Sequence, residues 1–199
     1  MMKSHIGAIA LALALVGSAG AASAQTTLTE SQIIQSMASA GTAPAGKPLT
    51  AALIKQAVQQ HMIDNPGMPI TWKPLELISG LPQINVQIQF ALNSAIIRPE
   101  SYATIGSMAD ALHHPLLLGS KFVVTGNTDT TGNRQDNLAL SQARADAVLE
   151  ALVTTFNVDP ARVEAVGLGQ ESLQDTSKPT DPINRRVQLI NIGPYLPGK

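Results

Sequence analysis

The chain of 199 residues has room for one domain of ordinary size and an additional segment, not for two large domains. Charged residues make up 14% of it, and 13 Lys and Arg stand against 14 Asp and Glu, so no basic excess is available to grip a nucleic-acid backbone. Cysteine is absent, which removes disulfides, thiolate nucleophiles, Cys-based metal sites and a lipid-modified cysteine from consideration.

Lys3 is followed by an uncharged run from Ile6 to Val16 and by small residues ending Ala22-Ser23-Ala24. A positive start, a short apolar centre and an A-x-A end describe a secretory signal peptide. The run falls short of the roughly 20 apolar residues of a bilayer-spanning helix. Cleavage is expected after Ala24, with residues 1–24 removed and the mature chain exported. No later segment is apolar enough to predict a transmembrane helix.

Residues 25–83 read as a helical, Pro-rich lead-in or linker. Thr29-x-x-Gln32 ahead of Ile33, Ile34 and Met37 has the form of a capping box opening a short amphipathic helix. Gly41 to Pro48 breaks it. Thr50 is placed to cap a second helix with Ile54, Val58 and Met62 at i, i+4, i+8. Pro66, Pro69, Pro74 and Pro82 then exclude a long regular element. This segment carries no recognisable chemistry, and its two readings are packing on the main domain or tethering it.

From Gln83 the pattern changes. Asn85 to Ala91 alternates polar and apolar, which predicts a strand with one buried face. Pro99 suits a first helical turn; Ile105, Met108, Ala109 and Leu112 follow at helical spacing, and Pro115 closes the segment. Phe122-Val123-Val124 predicts a strand buried on both faces, and Gly126 to Asn133 a turn-rich loop. A long helix is expected from Arg134 to Phe156, with Leu138, Ala145, Leu149, Leu152 and Phe156 on one stripe. Val163 to Gly167 and Val187 to Ile192 complete the set. The order βαβαββ predicts an α/β (α+β) sandwich over residues 84–192, helices on one mixed sheet, with residues 193–199 as a tail. A β-α-β crossover should join the first two strands if they are parallel.

Asn137, Ser141 and Arg144 fall on one helix face beside the Leu stripe, and Asp129 lies in the loop between a buried strand and that helix. One carboxylate and one guanidinium facing a shared space can hold a zwitterion, the acid taking an ammonium and Arg a carboxylate. The plainer reading is that Asp129 and Arg144 pair with each other at the surface, worth at most about 1 kcal/mol. Spacing alone favours the pair somewhat.

Several separated motifs occur in order: Gly126-x-Thr128-Asp129, Asn137-x-x-Leu140-Ser141-x-x-Arg144-Ala145, Gly167-x-Gly169 and Asn184-Arg185-Arg186-Val187. Together they resemble the OmpA-like peptidoglycan-binding domain, the periplasmic module of outer-membrane protein A and of peptidoglycan-associated lipoproteins, over roughly Gln83 to Ile192. The resemblance implies that Asp129 and Arg144 hold the free end of diaminopimelate in the peptidoglycan stem peptide. It implies supporting roles for Thr128, Asn127, Asn137, Arg185 and Arg186; for the Arg pair, salt bridges and ligand contact are equally open. Asn127 stands where the family usually has His, which removes a group titrating near neutral pH, and Asp136 stands where an aromatic is common.

No catalytic, cofactor or metal set is expected. Gly-x-Ser-x-Gly, His-Glu-x-x-His and a phosphate loop are missing, and Gly167-Leu168-Gly169 reads as a tight turn. His113-His114 suits a helix C-terminus, and His61 alone on its helix carries no assignment. The expectation is a non-catalytic module that binds peptidoglycan and anchors or organises the cell envelope. The lead-in at 25–83 is left for an envelope protein partner or a second copy of the chain. The alternative is a cell-wall hydrolase or an accessory domain of an envelope enzyme complex.

Overall fold

A computed structural model describes residues 28–38, 49–67 and 76–195. The expected signal peptide and its cleavage point lie outside the described residues, as do the Gly41–Pro48 break, Pro69, Pro74 and the end of the tail. Three helices precede the first strand: α1 (Glu30–Met37), α2 (Ala51–Asp64) and α3 (Glu76–Ser79). Then come β1 (Gln83–Val86), α4 (Tyr102–His113), β2 (Ser120–Asn127), α5 (Arg134–Glu150), β3 (Val163–Gly169) and β4 (Val187–Pro194). The result is a mixed α/β fold on one four-stranded sheet of order β1-β4-β2-β3, with the predicted βαβαββ order. β2 and β3 are parallel, whereas β4 runs antiparallel to both β1 and β2. β1 and β2 therefore point the same way, but β4 lies between them, so the crossover through α4 steps over a strand instead of joining neighbours.

Alternation along the strands sorts two cores. Phe122, Val124, Val187 and Leu189 face α4 (Ile105, Met108, Leu112) and α5 (Ala145, Val148, Leu152), and Ile33 and Met37 of α1 join this cluster. Val123, Val166, Leu168, Ile190 and Ile192 face the other way, onto Ile54 and Val58 of α2 with Leu49, Ile78 and Leu81. Both faces of the sheet are covered, as the continuous apolar run at 122–124 predicts. Of the two readings of the lead-in, its described helices take the packed one.

The lead-in is also held by polar bonds. Thr29 and Gln32 form the predicted capping box, Gln32 Oε1 accepting the Thr29 N–H at 2.9 Å. The Thr50 hydroxyl accepts the Leu53 N–H at 3.3 Å, and Glu164 Oε2 of β3 accepts the Ala51 N–H at 2.6 Å. The helix is thus capped by its own sequence and by the sheet. At its other end His61 Nδ1 lies 2.8 Å from Glu171 Oε2, and Arg134 Nη1 donates to the Asn65 carbonyl. Glu171, only 1% exposed, receives the Arg134 fork through both oxygens at 2.6 Å. His61, given no assignment from its sequence context, belongs to this network.

Four expectations need correction. The ladder of β1 ends at Val86 instead of continuing to Ala91; Gln89 bonds to Arg98 and Ser101, and Phe90 makes a single bridge to Ile97. Ile88 and Phe90 still pack on the core, so the alternation survives where the pairing does not: it reports a buried side, not a hydrogen-bond partner. Gly126 belongs to β2, so the loop starts at Thr128. The long helix ends as α at Glu150 and closes with one wide turn, Ala151–Thr155, with the Phe156 N–H on the Ala151 carbonyl at 3.2 Å. Gly167 lies inside β3 against α5, and the tight turn starts one residue later than expected, the Leu168 carbonyl accepting the Glu171 N–H at 3.0 Å with Gly169 at φ 55°.

Candidate functional site

The first turns of α5 lie against the C-terminal ends of β2 and β3, where strand-end loops commonly form sites. The segment from Phe90 to Ile97 folds over this end as a small turn, with Asn93 at φ 49° and the Ala91 N–H on the Ile96 carbonyl at 2.9 Å. Between that turn, the 128–131 loop, α5 and the residues ahead of β4 lies a cleft of about 500 Å³. Asn127, Thr128, Asp129, Asn137, Arg144, Arg185 and Arg186 all line it, so one wall system brings together every sequence-predicted site residue.

Asp129 is held rigidly. Its Oδ1 accepts the Thr131 N–H at 2.8 Å, an Asx turn, and its Oδ2 pairs with Arg185 Nη1. The flanking Thr128 and Thr130 N–H groups donate to the carbonyls of Gly169 and Pro179 at 2.8 and 3.1 Å. Asn137 secures the same loop, its Nδ2 reaching the Asp129 and Thr131 carbonyls at 3.2 and 3.1 Å and Gln170 Oε1 at 2.8 Å. Asn137 and Ser141 were expected beside the apolar stripe. Instead they lie buried in line with Ala145 and Val148 on the inner side of α5, because the sheet ends there in glycine and leaves room for polar side chains. Asn127 Nδ2 bonds Gln188 Oε1 at 3.2 Å. Asn127 Oδ1 and the Thr128 and Thr130 hydroxyls are buried without a hydrogen-bond partner among the described residues, an unusual concentration in one short stretch.

Arg144 does not pair with Asp129. Its Nε donates to the Ser94 carbonyl at 3.0 Å, and its guanidinium sits 5.0 Å from the Phe90 ring centroid. Its terminal nitrogens donate to no protein group among the described residues. Burial chiefly, then repulsion from Arg185, lowers its pKa, with Asp129 opposing. The surface-pair reading fails on geometry, since Asp129 is only 4% exposed and its partner is Arg185. Arg186 reaches only oxygens of neutral groups: the Asn184 and Ser172 carbonyls at 3.4 and 2.9 Å and Gln188 Oε1 at 3.0 Å. Its Nε has no partner among the described residues, and burial lowers its pKa to about 10.

Several supporting residues escaped the sequence reading. Phe90 and Ser94 position Arg144, and the Asn93-Ser94 pair is the turn signal that could have revealed them. Asn184, fully buried, belongs to the Asn184-Arg185-Arg186-Val187 motif, and its sequence context assigns it no role. Its Oδ1 accepts the Gln174 and Asp175 N–H groups at 2.8 and 2.9 Å, and its Nδ2 donates to the Lys178 carbonyl at 2.9 Å. Asn184→Ala orphans these groups and is expected to cost about 2 kcal/mol. The check is a urea melt, with faster amide exchange across residues 174–181 as the local signature.

His113 and His114 have local roles. His113 Nε2 lies 3.3 Å from the Asn157 carbonyl, and His114 Nδ1 accepts the Leu116 N–H at 3.3 Å. Among the described residues no helix is long and apolar enough to cross a membrane.

Comparison with known proteins converges on the same stretch. The chain is 30% identical over 114 residues to outer membrane porin F of Pseudomonas aeruginosa, covering 56% of this chain and 32% of that protein. It is 35% identical over 102 residues to the peptidoglycan-associated lipoprotein of Pseudomonas putida, covering 50% and 59%. Among solved structures, the peptidoglycan-associated lipoprotein from Burkholderia pseudomallei is similar at 33% identity and a TM-score of 0.43, covering 52% of this chain and 87% of that one. The chain thus spans about a third of the first of these relatives and three fifths of the second. The OmpA family model matches residues 89–186, from the strand extension carrying Phe90 to Arg186, and these residues form an OmpA family domain.

Proposed function

We propose that this protein binds peptidoglycan in the cell envelope without catalysing its turnover, and that the cleft at Asp129 and Arg144 takes the zwitterionic end of diaminopimelate in the stem peptide. The observation that carries this reading is Arg144: its terminal nitrogens donate to no protein group among the described residues, while Phe90 and Ser94 already hold the side chain in place. A planar guanidinium with a free fork suits a ligand carboxylate through two parallel hydrogen bonds. Asp129 presents an oppositely charged oxygen for the ammonium, sharing it with Arg185. The relative from Pseudomonas putida is by name a peptidoglycan-associated lipoprotein, which supports peptidoglycan as the partner. Export to the periplasm through residues 1–24 is part of the proposal. Residues 25–83 are the segment left to a protein partner or a second copy; their described helices bury their apolar sides on the sheet, leaving Ile63 of α2 as an exposed apolar residue.

The test is co-sedimentation of purified protein with isolated diaminopimelate-type sacculi. Asp129→Ala and Arg144→Ala are each expected to reduce the pelleted fraction at least about tenfold, the scale of one lost charge-assisted contact. Circular dichroism separates lost binding from lost folding. Folded variants that pellet as well as the parent would refute the assignment.

A further inference from the structure

Across Ile88, Arg185 and Arg186 from the cleft beside Asp129 there is further open space. A second cavity, of about 650 Å³, is lined by Asn85, Gln87, Gln89, Glu100 and Gln174 among others. Ile88, Arg185 and Arg186 border both spaces. Their common origin is the early end of β1. Val86–Val187 is the last pair of the β1–β4 ladder. Beyond it, residues 87–89 turn toward Arg98 and Ser101, while the chain ahead of β4 turns toward the Asn184-centred loop. The two cavities open where these segments part. Among the described residues Gln87 and Ile88 make no backbone–backbone hydrogen bond, and the amide side chains around them suit the carbonyls and N–H groups of a peptide.

The charges do not balance for a zwitterion alone. The two spaces contain Asp129 and Glu100 against Arg144, Arg185 and Arg186. Asp129 is paired with Arg185, and Glu100 lies 3.7 Å from Arg98 outside the cavities. Arg144 and Arg186 are left without a carboxylate among the described residues. A zwitterion brings one charge of each sign, so the surplus of positive charge remains after it binds. Arg186, bordering both spaces and bonded only to neutral oxygens, is the cation in position to meet one more anion.

Resting on the peptidoglycan reading above, we propose that the two adjoining cavities together recognise a peptide with one more carboxylate than ammonium: the zwitterion at Asp129 and Arg144, and a second carboxylate on the neighbouring residue beside Arg186. In a stem peptide the γ-linked glutamate next to diaminopimelate carries such a free α-carboxylate. Amidation makes it neutral. The site therefore discriminates between free-acid and amidated stems, a choice a zwitterion pocket alone does not make.

Two synthetic alanyl-γ-glutamyl-diaminopimelate peptides, differing only in a free or amidated glutamate α-carboxyl, test this by calorimetric titration of the purified full chain. The free acid is expected to bind about tenfold more tightly, with the larger loss of affinity at high salt. Arg186→Gln should abolish the preference, so that the free acid and the amidated peptide bind the variant equally. Equal affinity of the parent protein for the two peptides overturns the inference, without needing a variant that folds. A folded Arg186→Gln protein that keeps the preference overturns the assignment to Arg186. Binding of neither peptide, with sacculi also left in the supernatant, overturns the peptidoglycan reading beneath it.

Discussion

Gly126→Ala is expected to lose about 3 kcal/mol or more of stability, at the upper end of what overpacking usually costs. A Cβ at Gly126 would lie 2.1 Å from the Ser141 carbonyl oxygen, and one at Gly167 would lie 2.3 Å from the Gln142 backbone nitrogen. Neither obstacle is a side chain that can swing aside. Both belong to the middle of α5, which rests directly on the backbones of β2 and β3. The Ser141 hydroxyl uses this closeness to accept the Gly169 N–H at 2.8 Å. An added methyl must therefore lift the helix, break that bond and loosen the Asn137 contacts to the 128–131 loop. Urea unfolding monitored by circular dichroism gives the midpoint shift. Gly80→Ala, where nothing lies within 4 Å of the new Cβ, should move the midpoint far less. A Gly126→Ala protein as stable as the parent would contradict the close helix–sheet approach.

Glu171→Gln should show the second large effect, a loss of about 3 kcal/mol. Glu171 is 1% exposed and accepts from Arg134 through both oxygens, with His61 on the second oxygen. Glutamine keeps the volume but supplies only one acceptor and no charge, so the Arg134 guanidinium stays partly buried beside a neutral amide. The damage reaches beyond α2. Glu171 adjoins Gln170, whose Oε1 accepts from Asn137, and Arg134 begins the helix that carries Arg144. Hydrogen exchange should accordingly quicken both in α2 and in the Gly169–Ser172 segment, alongside the shifted urea midpoint. His61→Gln removes one neighbour only and should cost clearly less. A Glu171→Gln midpoint unchanged from the parent would show that the buried network adds nothing.

What the sequence discloses follows from range. Thr29 and Thr50 act on backbone groups within three residues, so both caps are legible in the letters alone. The buried strand at 122–124 and the stripe through Ala145 and Leu152 are legible because burial repeats with the local period. The end of β1 is not, since Ile88 and Phe90 keep the apolar rhythm after the hydrogen-bond partner has gone. Asn137 and Ser141 looked peripheral because polarity was equated with the helix exterior. The glycines opposite them, which make an interior polar row feasible, come from other strands. At the candidate site, Asp129 and Arg144 were legible through short motifs. Arg185 as the partner of Asp129, and Ser94 as the acceptor for Arg144, are separated from them by 56 and 50 residues, and no local pattern encodes such pairings. His61 with Glu171, 110 residues apart, is the same case.

The seating of Arg144 on Phe90 and Ser94 bears on the entropy of recognition. A free arginine side chain samples many rotamers, and ordering it at the moment of binding opposes association by about 0.5–1.5 kcal/mol. Here that ordering occurs when the polypeptide folds, because the Phe90–Ile97 turn arrests the guanidinium before any ligand is present. The Asx turn does the same for Asp129. A partner meeting this cleft therefore encounters two charges already aimed, and selectivity among partners is set by shape and charge rather than by how readily the protein reorganises.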